Sequence, residues 1–222
     1  MTIDQKPLRV GVIGTGAMGE VHARNLHNGI LGAQLAAVTD ADPVRASQVS
    51  SMNGEVPVFG GAAELIQSPN IDAVVIATPA FAHAELVLEC LRAAKPVMCE
   101  KPLATNIEDV RKIIDAEIEI GRRLVQVGFC RRYDNQHLAV KRELASGRIG
   151  RALMYKGWHR NMMMPGRTAS TDVFMLDAAI HEFDSIRWLL GQELEEVYVK
   201  GINTEPSLGK DVLDLILIQA SL

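Results

Sequence analysis

Residues 8 to 28 read LRVGVIGTGAMGEVHARNLHN, and their order leaves few folds open. A short apolar run ends on Gly14, glycines recur at Gly16 and Gly19, and helical spacing follows at once. A strand without in-out alternation is buried on both faces, as in a parallel sheet. Parallel neighbours in turn demand crossover connections, usually helices. In the GxGxxG turn, Gly14 permits the tight bend and Gly16 lets the backbone approach a pyrophosphate. Gly19 lets helix and strand pack closely. Ala17 and Met18 sit in the turn that aims the helix N-terminus at phosphate charge. The second strand, AQLAAVTD, ends on Asp40, 21 residues after Gly19. A carboxylate there accepts from ribose hydroxyls and repels a 2′-phosphate, so NAD is expected rather than NADP. Arg45 reads as a solvated helix residue.

The rest of the first half repeats the pattern. EVPVF (55 to 59) is expected as a brief strand, IDAVVIATP (71 to 79) as a buried one, and KPVMCE and RRLVQVGF as two more, with helices between. Such alternation implies a doubly wound parallel sheet. After Phe129 the character changes. RALMYKGWHRN (151 to 161), LEEVYVKGIN and DVLDLILIQA read as strands around one long helix through VFMLDAAIHEFDSIRWLL. The expected fold class is α/β: a Rossmann domain over 1–128, then an α+β open-sheet domain over 129–222. The last apolar strand has no partner after it, and a bare apolar edge is an aggregation hazard. A C-terminally truncated chain is therefore expected.

Charge narrows the partners. Formal net charge is −4, with no basic footprint for nucleic acid and no polybasic membrane signal. The N-terminus lacks the basic-then-apolar pattern of a signal peptide, and no apolar run reaches the ~18 residues of a membrane span. Cys90, Cys99 and Cys130 form no CxxC pair, which fits free thiols in a reducing cytoplasm.

Two stretches suggest chemistry. In CEKPLA, Glu100 and Lys101 follow a strand, where ligands collect in such sheets. Lys101 read alone is equally a surface group. In DAAIHEFD (177 to 184), Asp177, His181 and Asp184 interrupt a greasy helix, and burying ionisable groups is costly unless they are paired. At helical spacing the three share one side, within about 60°. Val173, Leu176, Ile180, Phe183 and Leu190 are expected to pack on the sheet. Asp184 is expected to be structural, holding His181 or a backbone group. His83 is expected to pack or cap locally. No further cysteine or histidine completes a metal set around Asp177, His181 and Asp184, so no metal is expected.

GTGAMG, ATPAFAH, KPVMCEKPLA and the Asp177/His181 DxxxH pair occur in this order, and together they resemble the Gfo/Idh/MocA oxidoreductase family. The resemblance covers nearly the whole chain. It implies a Rossmann domain followed by an open-sheet substrate domain that continues beyond residue 222. It also implies a catalytic role for Lys101, a cofactor-lining role for Thr78 and Pro79, and a place for Glu100 beside the nicotinamide pocket. GRRLVQVGFCRRYD (121 to 134), WHRN (158 to 161) and DAAIHEFD are similar to segments of the inositol-oxidising branch. That narrower resemblance implies that Arg131, His159 and Asn161 hold a cyclitol and that Asp177 and His181 touch its reacting hydroxyls. The implied reaction is NAD-dependent oxidation of one secondary alcohol, myo-inositol to a keto-inositol. The implied assembly is a homotetramer of the full-length form. Another sugar or polyol as substrate, a non-catalytic dinucleotide sensor, or an inactive truncated form stays open at this point.

Overall fold

The computed structural model describes residues 6–160, 174–205, 207 and 212–222. Two compact units divide the chain, Met1–Gly128 and Phe129–Leu222.

The first unit is a five-stranded parallel sheet. Its strands are β1 (Leu8–Ile13), β2 (Ala33–Thr39), β3 (Ala73–Ile76), β4 (Val97–Cys99) and β5 (Val125–Val127), in the order β2-β1-β3-β4-β5. Helices α1 (Ala17–His27), α2 (Pro43–Met52), α3 (Ala62–Gln67), α4 (His83–Arg92) and α5 (Ile107–Ile120) connect them. The apolar strand residues serve two cores. Val10, Val12 and Val75 pack with Ala23, Leu26 and Val49 on one side. Ile13, Val74 and Ile76 pack with Leu65, Val87 and Ile113 on the other. Each fully buried Val or Ile contributes about 1.5–3 kcal/mol. This two-sided burial is why the strands read as unbroken apolar runs.

Register across the sheet pairs Val12 with Val38 on one side and with Val75 on the other. The expected strand at 55–59 shrinks to a single parallel bridge, Val38 to Val58. Pro57 offers its carbonyl to Val38 N but has no N–H to extend the ladder. Counting that bridge as a sixth position outside β2 gives the strand order of dinucleotide-binding sheets, in which ligands bind where the order reverses. The reversal falls between β1 and β3. Arg9 on β1 locks this join, because its backbone N, Nε and Nη2 all donate to Asp72 just before β3, at 2.7–2.9 Å.

The second unit begins with a 3₁₀ turn, Cys130–Tyr133, and α6 (Asn135–Ser146), which Asp134 caps through Gln136 N and His137 N. A π-helical turn over Met175–Ala179 runs into α7 (Ile180–Leu190). Strands β6 (Glu196–Ile202) and β7 (Leu215–Ser221) form an antiparallel pair, with Val199 opposite Ile218.

Three expectations for this unit need correction. Residues 151–160 form no strand. Among the described residues β6 and β7 pair only with each other, and local composition cannot supply a ladder partner. Nor is the segment around DAAIHEFD a single α-helix, because Asp177 sits in the wider π turn. Its apolar face also differs from the 100° projection. Leu176 is 37% exposed, while Ala178, Ala179, Asp184, Ser185 and Leu189 are buried. Val173, also assigned to that face, lies outside the described residues.

Candidate active site

The glycine turn leaves β1 and opens α1. Gly14 has φ +87°, and a Cβ there would lie 2.7–2.8 Å from the backbone of Ala77 and Thr78. A Cβ on Gly19 would fall 1.8 Å from Gly14 O, so helix and turn meet with no room to spare. Gly16 differs. It is the N-cap of α1, provides no side-chain cap, and has nothing within 4 Å of where a Cβ would stand. No side-chain cap takes the first N–H groups of this 11-residue helix, as an anion site needs. Ala17 and Met18 are exposed on that first turn. A hollow of about 350 Å³ beside it is lined by Thr15, Gly16, Ala17, Arg45, Gln48 and Met52.

Asp40 directly follows β2, with its side chain only 9% exposed. Its Oδ2 accepts from Thr15 N at 2.6 Å and Thr15 Oγ1 at 2.9 Å, and its Oδ1 accepts from Asp42 N at 2.8 Å. Burial works against its charge, but these hydrogen bonds and Arg45 hold its pKa below the usual carboxylate value. A carboxylate has about four acceptor positions, so roughly one remains, on Oδ1, for a ribose hydroxyl. Asp40 therefore also fastens the glycine turn. Sequence reasoning missed that part, because Thr15 carries no motif signal. Arg45, read as solvated, has its Nη1 3.9 Å from Asp40.

Thr78 and Pro79 follow β3, and Glu100 and Lys101 follow β4. The Thr78 hydroxyl is buried and has no hydrogen-bond partner among the described residues. Such orphans are uncommon and mark a place where a bound group completes the pairing. Glu100 Oε1 meets His22 Nε2 at 2.8 Å. Burial would raise the pKa of Glu100, yet the bond and charge of His22, helped by Lys101, hold it down. His22, on α1, is a second residue the sequence did not single out. Cys99, buried beside this segment, has its thiol pushed well up by burial and is inert. The open Gly16 cradle, the helix N-terminus without a side-chain cap, the orphaned Thr78 hydroxyl and the remaining acceptor position on Asp40 together fit a dinucleotide.

In the second unit Glu182 is the hub. Arg131 Nη2 donates to its Oε1 at 2.7 Å and Tyr155 Oη donates to its Oε2 at 2.7 Å, while His159 Nδ1 lies 3.8 Å away. Arg131 also reaches Ser185 Oγ at 3.3 Å. Burial opposes charge on Glu182, but Arg131, Tyr155 and His159 together depress its pKa. Tyr155 is pushed up to about 12, by burial and then by its bond to that carboxylate. The His181 ring stacks on His159 at 6.3 Å between centroids and meets Phe129 edge-on at 6.5 Å. A cavity of about 1230 Å³ is lined by Tyr155, His159, Asp177, Glu182 and Phe183, with Ile216 from β7. Of the expected residues here, Arg131, His159 and His181 share one cluster and Asp177 lines the cavity beside it. Asn161 lies outside the described residues. Glu182 escaped sequence reasoning because a glutamate on a helix has no signal of its own. Among the described residues no group of three or more His, Cys, Asp or Glu could hold a metal, and no helix is long and apolar enough to cross a membrane.

Comparison with known proteins adds three findings. The family model described as "Oxidoreductase family, NAD-binding Rossmann fold" matches residues 8–129, and that of the "GFO/IDH/MocA C-terminal domain" matches 137–220. The chain is 52% identical over 217 residues to an inositol 2-dehydrogenase of Rubrobacter xylanophilus, covering 97% of this chain and 62% of that protein. It is 42% identical over 213 residues to an inositol 2-dehydrogenase of Acidothermus cellulolyticus, covering 96% and 62%. It therefore spans about three fifths of the length of these relatives. Among solved structures, myo-inositol dehydrogenase from Lactobacillus casei in complex with NAD(H) and myo-inositol superposes with a TM-score of 0.84. That match has 33% identity and covers 97% of this chain and 64% of the other.

Proposed function

Because this chain belongs to the Gfo/Idh/MocA oxidoreductase family, we propose that the protein oxidises one secondary alcohol of a cyclitol with NAD, converting myo-inositol to a keto-inositol. The observation that carries the reading is the sheet order. The glycine turn, Thr78–Pro79 and Glu100–Lys101 follow β1, β3 and β4, three neighbours in one parallel sheet. A phosphate cradle and a cationic side chain at the carboxyl ends of adjacent strands suit a dinucleotide and a substrate oxygen. The names of the relatives support inositol as the polyol.

In this reading bound NAD supplies the hydride acceptor. Gly14, Gly16, Ala17, Met18 and Gly19 form the pyrophosphate cradle, Asp40 takes a ribose hydroxyl, and Thr78, Pro79 and Glu100 line the cofactor site. Lys101 hydrogen-bonds the reacting oxygen, and its positive charge favours alkoxide character there. His181, as the neutral ring, accepts the hydroxyl proton, while Asp177 binds a neighbouring hydroxyl. Arg131 and His159, steadied by Glu182, and Asn161 hold the rest of the ring through its hydroxyls. The family resemblance supports a homotetramer for the complete protein. The test is a panel of myo-inositol, scyllo-inositol and glucose with NAD and with NADP, followed by the absorbance of the reduced nicotinamide. Turnover of glucose alone would remove inositol from the reading, and no turnover with any polyol would remove the enzyme.

A further inference from the structure

His83 opens α4 and is 1% exposed, so its ring is one of the most deeply buried ionisable groups in the chain. Its two nitrogens go to two different segments. Nδ1 lies 2.7 Å from the carbonyl oxygen of Pro102 and Nε2 lies 2.8 Å from that of Thr78. Thr78 follows β3 and Pro102 follows β4, and these strands are adjacent, with Ile76 opposite Cys99. A carbonyl oxygen only accepts, so both contacts are hydrogen bonds together only when both ring nitrogens bear a proton; a ring with one N–H donates to one carbonyl at a time. An apolar residue of similar size would fill the space but leave both carbonyls without this donor, at the carboxyl end of the sheet where the cofactor-lining and lysine-bearing segments leave their strands.

We propose that His83, with both ring nitrogens protonated, is a positioning residue, a rigid strap that ties the Thr78 carbonyl to the Pro102 carbonyl and so sets the place of Lys101 relative to the cofactor-lining segment. The strap itself rests on the two distances; its consequence for catalysis rests on the functional reading given above. The two bonds are chemically separable. An asparagine amide stands near where Nδ1 was, and a glutamine amide near where Nε2 was. His83→Asn therefore keeps the bond to Pro102 and loses the one to Thr78, and His83→Gln does the reverse. A residue that only fills space shows no such division.

The experiment uses the complete protein and compares His83→Asn, His83→Gln and His83→Leu with wild type. It reads NAD affinity by titration, kcat with the polyol at saturating NAD, and amide hydrogen exchange of residues 77–80 and 100–104 without cofactor. With one hydrogen bond worth roughly a factor of ten, His83→Gln should lower kcat about tenfold, leave the NAD Kd within about twofold, and speed exchange in 100–104 alone. His83→Asn should raise the NAD Kd about tenfold, leave kcat within about threefold, and speed exchange in 77–80 alone. His83→Leu should show both losses. The strap is overturned if the Asn and Gln variants shift kcat, Kd and exchange in the same proportion, following only their loss of Tm, or if neither segment changes its exchange. If wild type turns over no polyol, the functional reading falls, and the exchange measurement still decides the strap.

Discussion

Arg132 closes on Asp184 with three hydrogen bonds, Nε to the two carboxylate oxygens at 3.1 and 3.0 Å and Nη2 to Oδ1 at 2.7 Å. Asp184 is 6% exposed and Arg132 is 38% exposed in its side chain. The carboxylate expected to steady His181 or a backbone group is thus committed to the 3₁₀ turn before α6. Removing one partner of a buried pair costs ~3–5 kcal/mol, less when the other partner can turn to water. Asp184→Ala should therefore destabilise by about 2–3 kcal/mol in urea unfolding. A loss below about 0.5 kcal/mol, the range of ordinary surface changes, would show that the pair is incidental.

Glu182 holds Arg131 and Tyr155 at 2.7 Å each. On the proposed function, Glu182→Gln should raise KM for the polyol about tenfold or more while kcat changes less, because it would loosen Arg131 and Tyr155, which in that reading help orient the substrate. It should also let the Tyr155 phenol fall from about 12 toward its ordinary 10, visible in ultraviolet titration. The folded pKa of Glu182 lies below its ordinary 4.5. Its contribution to stability is thus present above that value and lost as pH falls through the folded one. Wild type should lose more stability than Glu182→Gln on acidification below about 4.5. Parallel acid-unfolding curves would argue against a charged hub.

Asp72 gives a sharper window. The hydrogen bonds of Arg9 lower its pKa from 3.8 to about 2. The stabilisation is whole above 3.8 and disappears as pH falls through about 2. Both side chains are about a third exposed, so the effect is small. Asp72→Asn should have a lower Tm than wild type at neutral pH, with the gap closing over that interval. A gap independent of pH would trace the effect to packing.

Asp40→Ala releases Thr15 and Arg45 together and, on the proposed function, removes a ribose acceptor. The Kd for NAD should rise about 10- to 100-fold, the equivalent of one or two hydrogen bonds. NADP binding should weaken less, or improve, since a negative charge is gone and Arg45 is freed to face a phosphate. Equal loss for both cofactors in binding titrations would mean that Asp40 acts only through the turn.

Lys101→Ala should lower kcat by at least about 100-fold, the lower range for a group assisting proton transfer, with NAD affinity nearly unchanged. Turnover close to wild type with inositol and NAD would remove Lys101 from the chemistry.

The first unit was legible in the sequence because its signals are local and strong. Gly14 is dictated by backbone conformation and contact and Gly19 by contact, and two-sided burial leaves strands such as IDAVVIATP without alternation. Asp40, at the strand end, was readable for the same reason. Pairing was not legible. EVPVF has strand composition but Pro57 stops its ladder, and RALMYKGWHR has apolar residues but no strand ladder among the described residues. The partners of charged side chains were hidden as well. Asp184 finds Arg132, Glu182 gathers Arg131 and Tyr155, and His83 joins Thr78 to Pro102, across sequence separations of 19 to 52 residues except where Thr78 lies five away. Local sequence encodes conformational preference and burial pattern, and these set the dinucleotide turn. Hydrogen-bond partners distant in the chain are chosen by the packing of whole elements, so only the tertiary structure decided which carboxylates are structural and which histidine spans two strands.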